Sequence, residues 1–125
     1  MLKTLICVML GGALGAALRL LCMFESLNAM LNILAINALG SILIGYASLA
    51  LSHEQKLLKA FLTKGVCGGF TTFSTFAILS AGELAKGGAA IALAYAIFSI
   101  FLCIASVRIG LFLGGILNLE RRILR

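Results

Sequence analysis

The sequence is poor in charge and contains no proline. Only 11% of its 125 residues are charged, whereas 62% are hydrophobic, and the mean hydropathy is +1.18. Soluble domains usually contain about 25% charged residues, so this chain cannot cover a water-facing surface. Disordered chains are polar and highly charged, so disorder is excluded as well. The composition therefore predicts a small polytopic membrane protein.

Several motifs of soluble enzymes and metalloproteins are also missing. No GK[ST] follows the glycines, which excludes a phosphate-binding loop. His53 stands alone in a polar loop, which argues against a metal site, and no serine or threonine of the apolar segments has a partner histidine or aspartate, so no enzyme is expected. The cysteines form no CxxC pair, and their apolar surroundings favour a role as small buried side chains. They are Cys7, Cys22, Cys67 and Cys103.

Four apolar segments fill most of the sequence, at about residues 4–24, 29–51, 57–82 and 89–119. Each is long enough to cross a bilayer as a helix, which takes about 20 apolar residues. Their continuous apolar character excludes a barrel, whose strands alternate with period two. The sequence thus predicts an all-α fold, with one four-helix membrane domain over residues 1–125. Three GxxxG pairs, which allow close helix packing and association with another subunit, begin at Gly11, Gly65 and Gly110.

The basic residues are distributed unequally between the two predicted membrane sides. With four spans, both termini and the 53–59 loop lie on one side, together with eight of the ten Lys and Arg residues. Cytoplasmic segments carry the excess of Lys and Arg, so both termini are predicted to be cytoplasmic. The eight are Lys3, Lys56, Lys59, Lys64, Arg108, Arg121, Arg122 and Arg125, whereas Arg19 and Lys86 fall on the opposite side.

Polar side chains follow one face of the second segment and one face of the fourth. Their spacing in each segment matches a helix with 3.6 residues per turn. Such stripes either line a narrow, water-poor path or form hydrogen bonds between helices, and the stripes alone leave both interpretations open. The stripes consist of Asn37, Ser41 and Ser48 in the second segment and of Tyr95, Ser99, Cys103 and Ser106 in the fourth.

The third segment contains a run that makes a poor continuous helix, because paired glycines precede consecutive threonines. A helix break is predicted near Gly68 to Thr72. Non-helical backbone inside a membrane is tolerated within protein or along a cavity, and its freed carbonyl oxygens suit a cation such as Na⁺. The alternative is a simple kink in which Ser and Thr hydroxyls satisfy the backbone.

Three phenylalanines recur every three residues around this run and are expected to share a face: Phe70, Phe73 and Phe76. The edge of a phenylalanine ring carries partial positive charge, so ring edges can attract a small anion without a full charge that would trap it. The alternative is ordinary apolar packing of aromatic side chains.

The run from Gly68 to Phe76, GGFTTFSTF, resembles the third-helix signature of the Fluc/CrcB fluoride channels. The run from Gly11 to Arg19 resembles the first helix of that family, and the run from Asn37 to Gly45 resembles its second helix. The resemblance implies an antiparallel, dual-topology dimer with two fluoride pathways and a central structural Na⁺. Its implied function is the passive export of fluoride across the cell membrane, which protects the cytoplasm.

The resemblance also implies roles for individual residues. The carbonyl groups of Gly68 and Thr71 would hold the Na⁺, and Arg19 would match the structural arginine of the first helix. The fluoride pathway would be formed by Asn37, Ser41, Phe73, Thr75, Phe76, Tyr95, Ser99 and Cys103.

Two positions depart from the family pattern. Leu79 stands where the family often has a glutamate, and Cys103 replaces a serine of the fourth helix with a weaker hydrogen-bond donor. One of the two pathways is therefore expected to be altered or inactive. A homodimer of this family needs one sequence to insert both ways, whereas the charge asymmetry favours one orientation. The resulting hypothesis is a heterodimer with an oppositely oriented relative.

Two other functions fit parts of the sequence. A small multidrug-resistance-type exporter of four helices would need a buried carboxylate in its first helix, but here Glu25 lies at the end of that segment and Arg19 is the buried charge. A non-conducting structural subunit would explain the glycines, but it would explain neither the phenylalanine–threonine run nor the polar stripes.

Overall fold

The computed structural model describes residues 1–24, 27–52 and 54–123, and all regular structure in these ranges is helical. Glu25, His53 and Arg125, which the sequence analysis named, lie outside the described residues. The helices are α1 (Leu2–Leu21), α2 (Ala29–Ala50), α3 (Lys56–Ala60), a π-helical stretch (Phe61–Val66), α4 (Cys67–Phe70), α5 (Phe73–Ala85) and α6 (Ala89–Ile123).

Four stretches of this structure are long and apolar enough to cross a membrane: Leu2–Leu21, Ala29–Ala50, Lys56–Ala85 and Ala89–Leu119. The predicted all-helical fold with four spans is therefore confirmed, and the chain is a multi-pass membrane protein. The third span is assembled from α3, the π-helical stretch, α4 and α5.

Asparagines fix the connection between α1 and α2. The Asn28 side chain accepts a hydrogen bond from the Leu31 N–H at 2.9 Å and so caps the start of α2. The Asn32 side chain accepts from the Phe24 N–H and donates to the Phe24 carbonyl oxygen, both at 2.9 Å. It also donates to the Leu27 carbonyl oxygen at 3.1 Å, so one buried amide holds the segment that precedes its own helix.

Glycine allows two pairs of spans to pack at close range. A Cβ atom added at Gly15 would collide with the Val66 carbonyl oxygen, where α1 crosses the third span. A Cβ atom at Gly110 would collide with the Ile42 carbonyl oxygen, where α6 runs beside α2. Both glycines belong to GxxxG pairs, and both pairs of spans use the close backbone approach that this spacing permits in membranes.

The C-terminal end of α2 is held from two sides. The Lys59 ammonium group donates to the Ser48 carbonyl oxygen at 2.8 Å, and the Asn118 amide donates to the Leu49 carbonyl oxygen at 2.8 Å. Carbonyl groups in the last turn of a helix have no partner within the helix, so these side chains satisfy them. The third span and α6 are thereby both attached to the same end of α2.

Candidate functional site at the interrupted third span

The third span is interrupted at two threonines. Helix α4 ends at Phe70, and α5 begins at Phe73. Between them, Thr71 has φ −76° and ψ 160°, and Thr72 has φ −147° and ψ 119°, which is extended backbone. The Thr71 N–H and hydroxyl both donate to the Cys67 carbonyl oxygen, at 3.0 and 2.8 Å, and so close the last turn before the interruption.

Asn37 pairs with the backbone of the interruption from the neighbouring helix α2. Its Oδ1 accepts from the Thr72 N–H at 2.9 Å, and its Nδ2 donates to the Thr72 carbonyl oxygen at 3.1 Å. In a continuous helix the Thr72 N–H would donate to the carbonyl of Gly68. Because that N–H is used by Asn37, the Gly68 carbonyl lacks its helical donor.

Thr72 also starts the next helix. Its hydroxyl oxygen accepts from the Thr75 N–H at 3.2 Å, which is the usual N-cap interaction. The same hydroxyl lies 3.0 Å from the Thr75 hydroxyl and 3.2 Å from that of Ser74. The carbonyl end of α4 and the amide end of α5 therefore meet at two residues, and they carry partial charges of opposite sign.

A groove with a volume of about 500 Å³ lies beside the interruption, between α2, the third span and α6. Phe73 is 80% exposed, so the groove opens onto the protein surface at this residue. The groove brings together eight residues predicted from the sequence: Asn37, Ser41, Gly68, Thr71, Phe73, Phe76, Ser99 and Cys103.

The other predicted residues do not line the groove. Thr75 contacts the Thr72 hydroxyl, as described above. Tyr95 is 6% exposed, and its buried hydroxyl has no hydrogen-bond partner among the described residues. The Arg19 Nη1 lies 3.5 Å from the Thr71 carbonyl oxygen, which is a long hydrogen bond.

The rings of Phe73, Phe76 and Tyr95 contact one another in a row beside the groove. The ring centroids of Phe73 and Phe76 are 5.7 Å apart, and those of Phe76 and Tyr95 are 5.1 Å apart, with tilted planes. Phe70 does not share this environment, since it is 9% exposed and precedes the interruption. The expected common face of the three phenylalanines thus holds for Phe73 and Phe76 alone, because helical spacing does not carry across extended backbone.

Some residues of the two polar stripes line the groove, and others do not. Asn37 and Ser41 line the groove, as do Ser99 and Cys103. The Ser48 hydroxyl instead donates to the Ile44 carbonyl oxygen of its own helix at 2.6 Å. Asn37 forms hydrogen bonds between helices and also lies at the groove, so its position is compatible with either interpretation of the stripe.

Residues 6–111 match the family described as "CrcB-like protein, Camphor Resistance (CrcB)". The chain belongs to the CrcB-like family. This result confirms the resemblance predicted from the sequence. The matched range contains the interruption, Asn37 and the whole lining of the groove.

Individual relatives cover nearly the same length. "Fluoride-specific ion channel FluC 1" of Rhodococcus jostii is 36% identical over 96% of this chain and 92% of its own. Proteins named "Fluoride-specific ion channel FluC" from two strains of Thermus thermophilus are also similar. One is 43% identical over 88% of this chain and 94% of its own. The other is 45% identical over 88% of this chain and 92% of its own.

In this CrcB-like chain the groove offers neutral donors. Among the described residues that line it, none carries a carboxylate or a full positive charge. Amide and hydroxyl groups, two thiols and ring edges remain, and each of these group types presents partial positive charge to a small ion. The chemistry of the lining thus suits a small anion that passes without being held by a full charge.

Several residues of this site have roles that the sequence analysis did not predict. Thr72 lies in the predicted break, but its role as the N-cap of α5 was not predicted, although a threonine before an apolar run is a usual N-cap signal. Thr63 lines the groove from the π-helical stretch, where an i to i+5 pattern shifts the register and leaves no sequence signal. Cys67 is predicted from the sequence only as a small buried side chain, which its 2% exposure confirms, and Ile104 only as part of the fourth span. Which face of a helix meets the groove depends on packing.

Proposed function

We propose that this CrcB-like chain is a subunit of a fluoride-selective channel that lets fluoride leave the cytoplasm and so lowers its toxicity. The observation that carries the proposal is the groove at the interrupted span, whose described lining consists of neutral hydrogen-bond donors and ring edges. The relatives named above bear the words fluoride-specific ion channel in their names.

Fluoride is small and strongly hydrated, so a conducting path must replace its water with donors. Asn37 uses one N–H on the Thr72 carbonyl, and the second N–H of its amide is left for an ion. The hydroxyls of Ser41 and Ser99 continue the donors along α2 and α6. The edges of Phe73 and Phe76 complete the path, and larger anions are rejected by the width of the path and by the donor geometry.

A partner subunit completes the pathway in this proposal. One chain leaves Phe73 largely exposed at the edge of an open groove, and a lipid chain there offers a hydrated ion no hydrogen bonds. A second subunit packed antiparallel would enclose the groove and create a matching pathway of its own. The charge asymmetry supports an oppositely oriented relative as the partner rather than a second copy inserted in reverse.

A structural Na⁺ between the subunits is part of the proposal. The Gly68 carbonyl lacks its helical donor, and among the described residues the Thr71 carbonyl has only the long contact with Arg19, so both retain lone pairs. Carbonyl oxygens are suited to hard cations, and they lie at the carbonyl end of α4, which is partially negative. Two oxygens from each subunit fit an ion shared by two interruptions. When bound, this ion would supply positive charge and join the two third spans.

In this proposal the fluoride gradient and the membrane potential set the direction of transport, and the topology sets only the orientation of the chain. We place the N- and C-termini in the cytoplasm and the chain in the cell membrane, because eight of the ten basic residues fall on the side of the termini. Conduction is passive, so fluoride moves down its electrochemical gradient. The membrane potential, which is negative inside, favours anion exit.

Fluoride efflux from liposomes tests the proposal. Liposomes loaded with potassium fluoride contain either this protein alone or this protein together with a co-expressed relative of opposite charge bias. A fluoride electrode measures the fluoride released from them. Chloride efflux serves as the control for selectivity. Fluoride-selective release in either arm supports the channel, and release by this protein alone contradicts an obligate heterodimer. A folded protein that releases no fluoride in both arms would overturn the channel and favour the structural subunit.

The sodium site needs a separate measurement. Protein purified with N-methylglucamine in place of Na⁺ should melt at a lower temperature, and added Na⁺ should restore the melting temperature whereas added K⁺ should not. Equal melting temperatures in all three ions would contradict a structural sodium. Because the readout is stability, the result does not depend on which pathway conducts.

A further inference from the structure

Helix α1 and the third span run side by side in the same direction and begin at the same end of the bundle. Gly11 of α1 lies against Gly65, and the next close contact, at Gly15, also falls later in the third span. Lys3 lies eight residues before Gly11, and Lys56 lies nine residues before Gly65. The two lysines are therefore at the same level to within about one helical turn.

Two hydrogen bonds bring the other two spans to this level. The Lys59 ammonium group and the Asn118 amide each donate to a carbonyl oxygen in the last turn of α2, both at 2.8 Å. The end of α2 and the C-terminal part of α6 thus lie beside the start of the third span. The apolar part of α6 ends at Leu119, and Arg121 and Arg122 follow it in the sequence. All four spans therefore have one of their ends here.

We call this end of the bundle the basic end, because positive charge is in excess there. By sequence, and apart from three basic residues inside the spans, it has six Lys or Arg residues against two Glu, whereas the opposite end has one Lys against two Glu. At that opposite end, Lys86 is paired with Glu83 at 2.9 Å. The basic end comprises Lys3, Lys56, Lys59, Arg121, Arg122 and Arg125, with Glu54 and Glu120.

Two lysines of the basic end are accessible to a ligand. Lys3 and Lys56 are exposed, and among the described residues neither has a carboxylate within ion-pair distance. Exposed apolar side chains lie next to them in the sequence: Leu2 is 69%, Leu5 57% and Leu57 44% exposed. An ammonium group beside exposed apolar surface at the end of a span matches a phospholipid, whose headgroup is polar and whose acyl chains are apolar. A free phosphate ion would leave these leucines uncovered.

We propose that the basic end binds anionic phospholipid, and that Lys3 and Lys56 contact the phosphate of the headgroup. The ligand class is a lipid with a net negative headgroup, for which phosphatidylglycerol is the probe. A basic residue near the membrane surface strengthens the binding of anionic lipid about fivefold, and salt screens this attraction. The inference goes beyond the proposed ion conduction and does not depend on it.

Native mass spectrometry of the full-length protein in dodecyl maltoside tests the proposal. Phosphatidylglycerol and phosphatidylcholine with the same acyl chains are titrated separately, and the dissociation constant of the first bound lipid is measured for each. The ratio of the two constants gives the preference for the anionic headgroup. The wild type should prefer phosphatidylglycerol, and a higher concentration of ammonium acetate should weaken that preference.

Substitutions assign the preference to the two lysines. Lys3→Gln and Lys56→Gln should each lower it about fivefold, whereas Lys3→Arg and Lys56→Arg should keep most of it, because arginine retains the charge. Lys86→Gln is the matched control: it removes an exposed lysine at the opposite end, where Glu83 already pairs with it, and should leave the preference unchanged. Melting temperatures measured without added lipid verify that each variant is folded.

Three results would overturn the proposal. The first is equal binding of the two lipids by the wild type, which would limit the basic residues to setting the orientation of the chain. The second is an unchanged preference in the folded double variant of Lys3→Gln and Lys56→Gln. The third is displacement of bound phosphatidylglycerol by inorganic phosphate, which would show a site for a free anion instead of a lipid. Fluoride efflux enters none of these measurements, so their outcome is separate from that of the channel proposal.

Discussion

Two asparagine side chains each form hydrogen bonds with backbone that lies outside a helix. Asn37 bonds both the N–H and the carbonyl of Thr72, and Asn32 bonds both the N–H and the carbonyl of Phe24. The two asparagines lie five residues apart on the same helix, yet only Asn37 lines the groove. Asn32 is therefore a matched control for Asn37.

Asn37→Asp should reduce fluoride efflux by at least about tenfold. The carboxylate would repel an anion in the groove and would also face the Thr72 carbonyl oxygen, to which it cannot donate. Efflux per folded protein, measured with the fluoride electrode, is the readout. Asn32→Asp loses the same kind of hydrogen bond, at a cost of about 1–3 kcal/mol, and should lower stability without changing efflux per folded protein. Similar efflux in the two variants would contradict a role of Asn37 in the pathway.

Phe76→Ile should also abolish or strongly reduce efflux while leaving the protein folded. Isoleucine keeps much of the apolar volume but lacks a ring edge with partial positive charge. Phe101→Ile is the control, because Phe101 is 67% exposed on α6 and does not line the groove. Wild-type efflux in Phe76→Ile would remove the role of the ring edges. A drop of equal size in Phe101→Ile would show that the loss is not specific to the groove.

At the level of helices, the glycines of α1 divide into two kinds. A Cβ atom at Gly15 would meet the backbone of the third span, whereas a Cβ atom at Gly12 would meet nothing within 4 Å. The position of α1 against the π-helical stretch and α4 thus depends on the absence of a side chain at Gly15. The third span also contains the interruption, so the packing of α1 helps to fix the position of the site.

Gly15→Ala should destabilise the protein by about 1–3 kcal/mol, because backbone of the third span would have to move. Gly12→Ala should be neutral or slightly stabilising, since alanine is the better helix former by about 1 kcal/mol and has open space here. Thermal unfolding in detergent, followed by far-ultraviolet circular dichroism, compares the two. Equal melting temperatures would contradict close packing at Gly15.

At the level of the whole molecule, two features bear on a partner subunit: the exposed apolar side chains and the distribution of basic residues. Large apolar side chains are exposed along every span, as a bilayer or a partner subunit requires. The basic residues are predicted to fall mainly on one side of the membrane, which favours a single orientation in the proposed topology. In the proposed channel this fold would provide half of an enclosed path, and the orientation would determine which partner supplies the other half.

The orientation is expected to be single, with the C-terminus in the cytoplasm. A reporter that is active only in the cytoplasm and one that is active only outside it are fused in turn to Arg125. We expect signal from the cytoplasmic fusion and background from the other. Signals of equal size would show insertion in both orientations, and they would favour a homodimer over the heterodimer proposed above.

The sequence by itself determined the class of protein and its four spans, because the cost of burying charge in a bilayer leaves few alternatives for a chain with 11% charged residues. It also indicated an unusual backbone near Gly68 to Thr72, because glycine and threonine are poor helix formers.

The tertiary structure decided which residues meet. Asn37 and Thr72 are 35 residues apart, and the four hydrogen-bonding groups that pair them come together only when α2 packs against the third span. Because Thr71 and Thr72 are extended, Phe70 and Phe76 do not share the common face that helical spacing predicted. The packing of α6 determined that Ser99 and Cys103 line the groove whereas Ser106 does not. The helix propensity of a segment depends on its own residues. The shape of a groove between helices depends instead on how the helices cross, and contacts of glycines with residues far away in the sequence determine that crossing.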